Sequence, residues 1–294
     1  MRRNARAGYL LAAPAILGFL IFTMVPMVAS FVLSFTDYQI INTPSFVGWR
    51  NYRELFDGTD SLFFKSLKAT NYFVFLSVPL NTIFAFMLAS LLNRPIRARG
   101  FFRAIYYIPS VVPVVAVTTI WMWLLNPDLG LINVTLRKIG LPTNKWIFSE
   151  PTVIPSLALM DLWATGNIVV IYLSGLQGVG THYYDAVEVD GGNAWHKFWN
   201  ITVPMMTPTI FFNVIMGFIN GFQSFAQAFM MTQGGPNNAS LFYMFYLYRE
   251  AFTFSKMGRA CAIAWILFLI IGVLTAVIFR TSKYWVFYEG SDER

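Results

Sequence analysis

The chain has 294 residues, of which 56% are hydrophobic, 18% aromatic and only 12% charged, with a formal net charge of +7. Soluble domains carry about 25% charged residues and avoid large exposed apolar patches, so a mean hydropathy of +0.56 excludes an ordinary soluble domain and indicates a membrane protein. The basic residues lie in short runs beside apolar stretches rather than on one folded face, which argues against nucleic-acid binding.

The first predicted element is a membrane-spanning helix over residues 9–36, after the basic segment MRRNARAG. A secretory signal peptide also begins this way, but its apolar region is about 7–15 residues long and ends at a small-residue cleavage site. The apolar stretch here is long enough to cross a hydrocarbon core of about 30 Å. We therefore expect a first span that is retained.

Five more apolar stretches are long enough to cross the bilayer. Backbone exposed to lipid must satisfy its own hydrogen bonds, so continuous apolar stretches predict helices rather than barrel strands. Prolines 14, 26, 79 and 113 fall inside the predicted spans, the first two of them in span 9–36, where membrane helices tolerate them. The sequence predicts an all-α integral membrane protein with one transmembrane domain over residues 1–294. Its six predicted spans are 9–36, 70–92, 104–125, 152–177, 204–231 and 259–280.

Orientation is predicted from the arginines near the span ends, because cytoplasmic loops carry an excess of Lys and Arg. The first eight residues and the 93–103 loop are both rich in arginine and contain no acidic residue. The two segments lie on the same side of the predicted bundle. We therefore expect the N-terminus, the C-terminus and the 178–203 loop to face the cytoplasm.

Two features stand out in the third and fourth predicted spans. Trp121 and Trp123, near the outer end of the third span, fit an interfacial aromatic belt better than stacking on a sugar. Asp161 is the one acid well inside a predicted span, where polar groups usually face the bundle interior. A role towards substrate or gating and a structural pair are equally compatible with its position.

The fourth connection, residues 178–203, is too polar to span the membrane yet is patterned as helix. Residues 185–189 are compatible with a helix, and Gly191 and Gly192 then interrupt it. Beyond them Trp195, Phe198 and Trp199 recur at helical spacing. The pattern predicts a short helix, a glycine bend and a second helix along the cytoplasmic face.

The charge of this connection favours a protein partner over a lipid surface. An amphipathic helix that rests on headgroups has a basic polar face. Here Asp185, Glu188 and Asp190 stand against Lys197 alone. A basic groove on a partner protein is therefore the better match.

The segment resembles the signature loop of ABC-importer permeases, roughly Glu-Ala-Ala, two residues, Asp-Gly-Ala, then Phe and two spaced prolines. It is present here as Asp185-Ala186-Val187, Asp190-Gly191-Gly192, Phe198, Pro204 and Pro208. The stretches SGLQGV, LALMDLW, TQGGPNNAS and AFTFSKMGRACAIAW are similar to the carbohydrate-uptake branch of that family. The departures are Asp185 for the usual Glu, Val187 for the second Ala and Gly192 for the third Ala.

The resemblance implies a type I ABC importer permease with a cytoplasmic coupling helix that docks on a separate dimeric ATPase. It also implies a second permease subunit of different sequence, an extracytoplasmic solute-binding protein, and a bacterial or archaeal cytoplasmic membrane. The solute it implies is a sugar or oligosaccharide. The predicted ATPase-docking residues are Asp185, Ala186, Glu188, Asp190 and Gly191.

The fifth predicted span contains a polar stripe with steps of four, three, four and three residues, which is the spacing of one helical face over about 21 Å. Lining of a pathway is favoured over interhelical hydrogen bonding because the stripe is long and continuous. Amide and hydroxyl groups suit a neutral, hydroxyl-rich solute, and a lone acid without intramembrane Lys or Arg argues against an anionic one. The stripe comprises Asn213, Gly217, Asn220, Ser224 and Gln227, and Gln223 flanks it. The predicted substrate pathway consists of Asn213, Asn220, Gln223, Ser224, Gln227 and Asp161.

No catalytic or metal-binding residues are predicted, because the chain has no GxxxxGK[ST] loop and its two histidines, His182 and His196, are not in ligand spacing. ATP and Mg²⁺ would bind the partner ATPase. The predicted function is half of a translocation pathway that works by alternating access. Alternatives are a permease for another small polar solute, a secondary transporter with Asp161 as its coupling-ion site, and a membrane enzyme, against which the lack of paired carboxylates weighs.

Overall fold

The computed structural model describes residues 2–58, 60–95 and 97–288, and it describes the side chains from residue 11 onward. Both chain ends are predicted to be cytoplasmic. The side chains of the N-terminal arginines and residues 289–294 lie outside the described residues. Over the described chain the fold is all-α, apart from an isolated bridge between Thr36 and Phe46. The α-helices are α1 (Arg2–Phe19), α2 (Val25–Leu33), α3 (Arg50–Phe56), α4 (Ser61–Asn93), α5 (Arg99–Val111), α6 (Val114–Leu124), α7 (Leu131–Lys138), α8 (Glu150–Trp163), α9 (Gly166–Gly178), α10 (Thr181–Val189), α11 (Ala194–Lys197), α12 (Val203–Phe222), α13 (Tyr243–Tyr248) and α14 (Met257–Ser282).

Four helical segments of the described chain are long and apolar enough to cross a membrane, namely Leu11–Leu33, Ser61–Asn93, Ala194–Phe222 and Met257–Ser282. Two bent pairs, α5 with α6 and α8 with α9, meet the same criterion when each pair is taken together. The number of candidate spans is therefore four to six, in agreement with the predicted all-α membrane fold of about six spans.

The third predicted span, 104–125, is not one helix. α5 and α6 are bent by 98° at Val112 and Pro113. The backbone of Val112 is extended, with ψ 133°, because the proline ring disfavours helical conformation in the residue before it. The expectation that Pro113 lies inside a continuous helix is wrong.

The fourth predicted span, 152–177, is also interrupted. α8 ends at Trp163, α9 begins at Gly166, and the two are bent by 50°. A Cβ at position 166 would lie 2.6 Å from the backbone oxygen of Tyr106, so only glycine lets the start of α9 approach α5 this closely.

The fifth predicted span, 204–231, is displaced towards the N-terminus. One 29-residue helix runs from Ala194 to Phe222, with a π-helical turn at Phe198–Thr202 that joins α11 to α12. The predicted second helix along the cytoplasmic face is therefore the first part of this long helix. Pro204 does not end this helix, because it lies in the first turn of α12, directly after the wider π turn. Pro208 also lies inside α12.

The chain divides into two compact units. One unit contains residues 1–63 and 246–270. In it Asn51 donates hydrogen bonds of 2.8 Å to the carbonyls of both Ser34 and Thr36. Arg259 forms ion pairs with Asp60, with Glu250 at 3.3 Å and with Glu54 at 3.6 Å. These polar contacts tie α3 to the segment after α2 and tie the start of α14 to α3.

The second unit contains residues 64–245 and 271–294. Its core lies between α4, α9 and α12. Ala85 and Ala89, one turn apart on α4, are fully buried and bring the helices close together. Tyr172 of α9 packs edge-on against Phe86, with ring centroids 5.4 Å apart. This core fixes the three helices that contribute most of the cavity described next.

Candidate functional site: a polar cavity and an exposed acidic bend

Asp161, near the end of α8, is held by two amide side chains. Its Oδ2 accepts a hydrogen bond of 3.1 Å from Asn81 of α4, and its Oδ1 accepts one of 3.2 Å from Gln227. Ser224 in turn donates to the Oε1 of Gln227 at 3.5 Å. The carboxylate therefore links α8 to α4 and to the segment after α12, and both its partners are neutral.

The cluster borders a cavity of about 360 Å³ between α4, α8, α9 and α12. Apolar side chains such as Phe73, Phe212 and Met216 alternate around it with hydroxyl and amide groups. No Lys or Arg is among its described lining residues. The polar lining consists of Ser77, Asn81, Thr82, Asp161, Asn167, Asn213, Asn220 and Ser224.

Two glycines bring α12 against α4 at this cavity. A Cβ at Gly217 would lie 3.0 Å from Val78, and one at Gly221 would lie 3.1 Å from Val74. A Cβ at either position would force the facing valine to shift by a few tenths of an ångström, so the glycines favour close packing of the helices. Gly217, predicted as part of a polar stripe, therefore serves packing as well as lining the cavity.

The polar stripe predicted over residues 213–227 is not one helical face. α12 ends at Phe222, and residues 223–225 are not helical. Asn213 and Asn220 share the cavity face of α12, whereas Ser224 and Gln227 reach the same region from beyond the break. The glycines at 217 and 221 weaken helical propensity just before this break.

The predicted pathway residues are thus placed unequally. Asp161, Asn213, Asn220 and Ser224 line the cavity, Gln227 lies behind it bonded to Asp161, and Gln223 is exposed outside the lining. Sequence reasoning missed the contributions of α4 and α9, which include Ser77, Asn81, Thr82 and Asn167. Ser77 and Asn81 stand one turn apart in an otherwise apolar stretch, and that spacing was the available signal. Trp121 and Trp123 do not line the cavity.

The connection between α9 and α12 forms a helix, a sharp bend and a second helix. α10 ends at Val189, and Gly191 then adopts φ +79°, a left-handed conformation that favours glycine. Asn193 caps the next helix by accepting hydrogen bonds from the backbone of Trp195 and His196, and the His196 side chain completes the capping box. His196 is thus used in capping, and among the described residues no three His, Cys, Asp or Glu side chains form a metal-binding group.

The acidic side chains of this bend differ in availability. Glu188 pairs with Lys197 at 2.5 Å, and the hydrogen bond from that lysine lowers the pKa of Glu188 below its usual value. Asp185 and Asp190 are exposed, and no basic side chain of the described chain lies within ion-pair distance of either one. These two aspartates therefore remain free to meet a cation from outside the chain.

The same surface exposes large apolar side chains. Val189 is 87% exposed, Trp195 68% and Trp199 50%. The two tryptophan rings contact each other at a centroid distance of 5.7 Å. Exposed aromatic residues next to charged ones are typical of a protein contact surface.

Val187 and Gly192 fit each other across the bend. A Cβ on Gly192 would lie 2.4 Å from Cγ1 of Val187 and 2.9 Å from its carbonyl oxygen. The valine that replaces the usual second Ala of the motif thus occupies the space of the usual third Ala. The two departures from the motif compensate each other in volume.

Comparison with known proteins gives a consistent result over the whole chain. Residues 81–284 match the family model of the binding-protein-dependent transport system inner membrane component. The chain is 38% identical over 297 residues to the probable ABC transporter permease protein YesP of Bacillus subtilis, covering 100% of this chain and 96% of the relative. It is 29% identical over 280 residues to the arabinooligosaccharides transport system permease protein AraP of the same species, covering 94% and 88% of the two chains.

The fold also matches a solved structure. A chain in the crystal structure of a bacterial alginate ABC transporter, in complex with an alginate pentasaccharide-bound periplasmic protein, superposes with a TM-score of 0.84. The sequence identity is 21%, and the match covers 95% of each chain. The likeness establishes a shared permease fold.

Proposed function

This chain belongs to the family of binding-protein-dependent transport system inner membrane components, and on that premise we propose that it forms half of the pathway through which an ATP-driven importer carries a sugar or oligosaccharide. In this proposal the bend around Gly191 receives force from a dimeric ATPase. The cavity beside Asp161 meets the solute. ATP and Mg²⁺ bind the ATPase, and this chain supplies the moving helices.

One observation carries the proposal: a single helix, Ala194–Phe222, begins at the acidic bend and ends at the cavity. At 1.5 Å per residue its 29 residues extend over about 43 Å. Displacement of the bend would therefore move the cavity face of α12, with Asn213 and Asn220, as part of one rigid element. Such a linkage is what alternating access by partner-driven motion requires.

The partners follow from the exposed groups. Asp185 and Asp190, with Ala186 and the exposed tryptophans beside them, suit a groove on the ATPase that combines basic and apolar side chains. A second permease of different sequence would supply the other half of the pathway. A solute-binding protein would deliver the solute from the side opposite the bend. The 178–203 connection and both chain termini would then be cytoplasmic, in a bacterial or archaeal membrane.

The chemistry of the cavity suits a carbohydrate. Amide and hydroxyl side chains can both donate to and accept from sugar hydroxyls, and apolar rings such as Phe73 and Phe212 can cover the CH faces. The relative AraP is named as an arabinooligosaccharides transport system permease protein. A mono- or oligosaccharide is therefore the solute class that we propose.

Transport in reconstituted liposomes tests the pathway. We would compare Asn220→Ala, which removes an amide from the cavity, with Gln223→Ala, which removes an exposed amide one turn away outside the lining. The probes are neutral arabinooligosaccharides and, as an anionic comparison, alginate oligosaccharides, added with ATP inside the vesicles and the binding protein outside. We expect Asn220→Ala to reduce uptake of the transported sugar about tenfold, since one lost solute hydrogen bond is worth roughly 1.5 kcal/mol, while Gln223→Ala transports normally.

Equal transport by the two variants would contradict the placement of the pathway. Uptake by this chain alone, driven by a proton gradient without ATP, would instead support a secondary transporter with Asp161 as its coupling site. Failure of every sugar combined with ATP-dependent uptake of another polar solute would leave the importer intact and change its substrate class.

Docking on the ATPase is tested separately at Gly191. A leucine there has open space, because an added Cβ meets no atom within 4 Å, but it must adopt φ +79°. Gly191→Leu should therefore deform the bend and reduce co-purification of the ATPase, whereas Gly191→Asn should retain it, because asparagine tolerates the left-handed region. Normal assembly and transport by the leucine variant would refute the docking role.

A further inference from the structure

A second cavity, of about 280 Å³, lies between the end of α4, α5 and α9. It shares no lining residue with the cavity beside Asp161. Its walls combine one cationic side chain with hydroxyl and amide groups. The lining residues that matter here are Arg103, Tyr106, Tyr107, Ser174 and Gln177.

Arg103 is poorly satisfied within the chain. Its Nε is buried and has no hydrogen-bond partner, and its Nη2 reaches only the carbonyl of Leu92 at a long 3.4 Å. No carboxylate among the described residues lies within ion-pair distance of it. Arg103 as a whole is only partly buried, so its unsatisfied Nε and weakly bonded Nη2 leave guanidinium donors available to an anionic partner at the cavity.

The surroundings of Arg103 are basic on one side and apolar on the other. Arg94 and Arg97 are exposed in the preceding loop, and no acid occurs between residues 93 and 103. On α5 itself, Phe101 is 64% exposed and Ile108 59% exposed. α5 therefore offers positive charge to an anionic headgroup and apolar surface to hydrocarbon chains along the same helix.

We propose that this cavity binds the phosphate group of an anionic phospholipid, with Arg103 as its principal ligand. The guanidinium donates to the phosphate oxygens, and the hydroxyl and amide groups of the lining add further donors. The acyl chains lie against the exposed apolar residues of α5. The cavity extends along α9 from Gly166 to Gln177, and its Gln177 end lies next to the 178–203 connection.

Native mass spectrometry of the full chain, purified with any subunits that accompany it, tests the proposal. The protein would be delipidated and titrated with phosphatidylglycerol or with neutral phosphatidylcholine. Arg103→Gln and the matched control Arg97→Gln each remove one positive charge, but only the first removes it from the cavity. We expect Arg103→Gln to weaken phosphatidylglycerol binding about tenfold, Arg97→Gln, whose charge lies outside the cavity, to weaken it much less, and phosphatidylcholine binding to be unchanged.

Three results would overturn the proposal. Equal loss of phosphatidylglycerol in both variants would show a non-specific effect of charge, and loss in neither would mean that Arg103 only caps the carbonyl end of α4. The ligand would be a free anion if inorganic phosphate stabilised the lipid-free protein against heat, Arg103→Gln abolished that stabilisation, and phosphatidylglycerol gave no effect that depends on Arg103. Because Arg103→Lys keeps the charge, partial retention of lipid by that variant would support a phosphate site and confirm that the fold tolerates substitution.

Discussion

Replacing Gly192 with alanine should distort the bend after α10, because the new Cβ would lie 2.4 Å from a methyl group of Val187. Overpacking of this kind costs about 1–3 kcal/mol. Val187→Ala removes that methyl group and should cost little by itself, since the bend is at the surface. In the double variant the contacts of 2.9 Å with the carbonyl oxygen of residue 187 and of 3.4 Å with Cβ of His196 remain. Only the part of the Gly192→Ala cost that comes from the Val187 methyl group should then disappear.

Hydrogen exchange measured by mass spectrometry over residues 181–197 is the appropriate assay, because it reports local opening free energies rather than global unfolding. A loss of about 1.4 kcal/mol corresponds to tenfold faster exchange through opening. We expect Gly192→Ala to increase exchange by at least that factor and the double variant to return part of the way to wild type. Equal exchange in the single Gly192→Ala variant and the double variant would show no coupling, and the volume-compensation argument would be refuted.

Three other predictions concern the interior. Asp161→Asn offers one acceptor oxygen in place of two, so one of the two amide donors loses its partner. The melting temperature should fall by the equivalent of about 1–3 kcal/mol. An unchanged melting curve would contradict the network. Arg259→Gln leaves three acidic side chains without their shared cation and should cost about 3 kcal/mol in denaturant unfolding. Burial already raises the pKa of Glu250, so lowering the pH protonates it and removes the uncompensated charge from the folded Arg259→Gln variant. The difference in free energy of unfolding between this variant and wild type should therefore shrink towards pH 5. A constant difference would oppose this account. Gly258→Ala places a Cβ 2.1 Å from a backbone carbonyl oxygen and should destabilise the protein by about 3 kcal/mol, while Gly272→Ala on the same helix meets nothing within 4 Å and serves as the control for melting measurements.

Composition and the lengths of the apolar stretches were sufficient to determine that the chain is helical and embedded in a membrane. Lipid offers no hydrogen bonds to an exposed backbone, so a continuous apolar stretch of about 20 residues has essentially one stable structure. The motif at residues 185–208 was likewise local, and it located the bend at Gly191 and the family resemblance without any tertiary information.

The interruptions of the helices were decided by tertiary structure. Pro113 breaks its segment, yet Pro79 lies inside the uninterrupted α4 and Pro208 inside α12. A proline frees the same backbone carbonyl in each case, and whether the helix continues depends on what surrounds that carbonyl. Tertiary structure also decided which acidic side chain of the bend is paired. The sequence does not distinguish Asp185, Glu188 and Asp190, but among these three only Glu188 pairs with a basic side chain of the described chain.

The site itself depended on distance in space rather than along the chain. Asp161 bonds Asn81, 80 residues away, and Gln227, 66 residues away. The sequence determined that each of these side chains is polar and lies in or beside an apolar stretch, where an unpaired polar group is costly. Only the packing of α4, α8 and α12 decided which of them meet, because a pairwise contact depends on helix rotation and close approach, and small residues such as Gly217 and Gly221 set that approach.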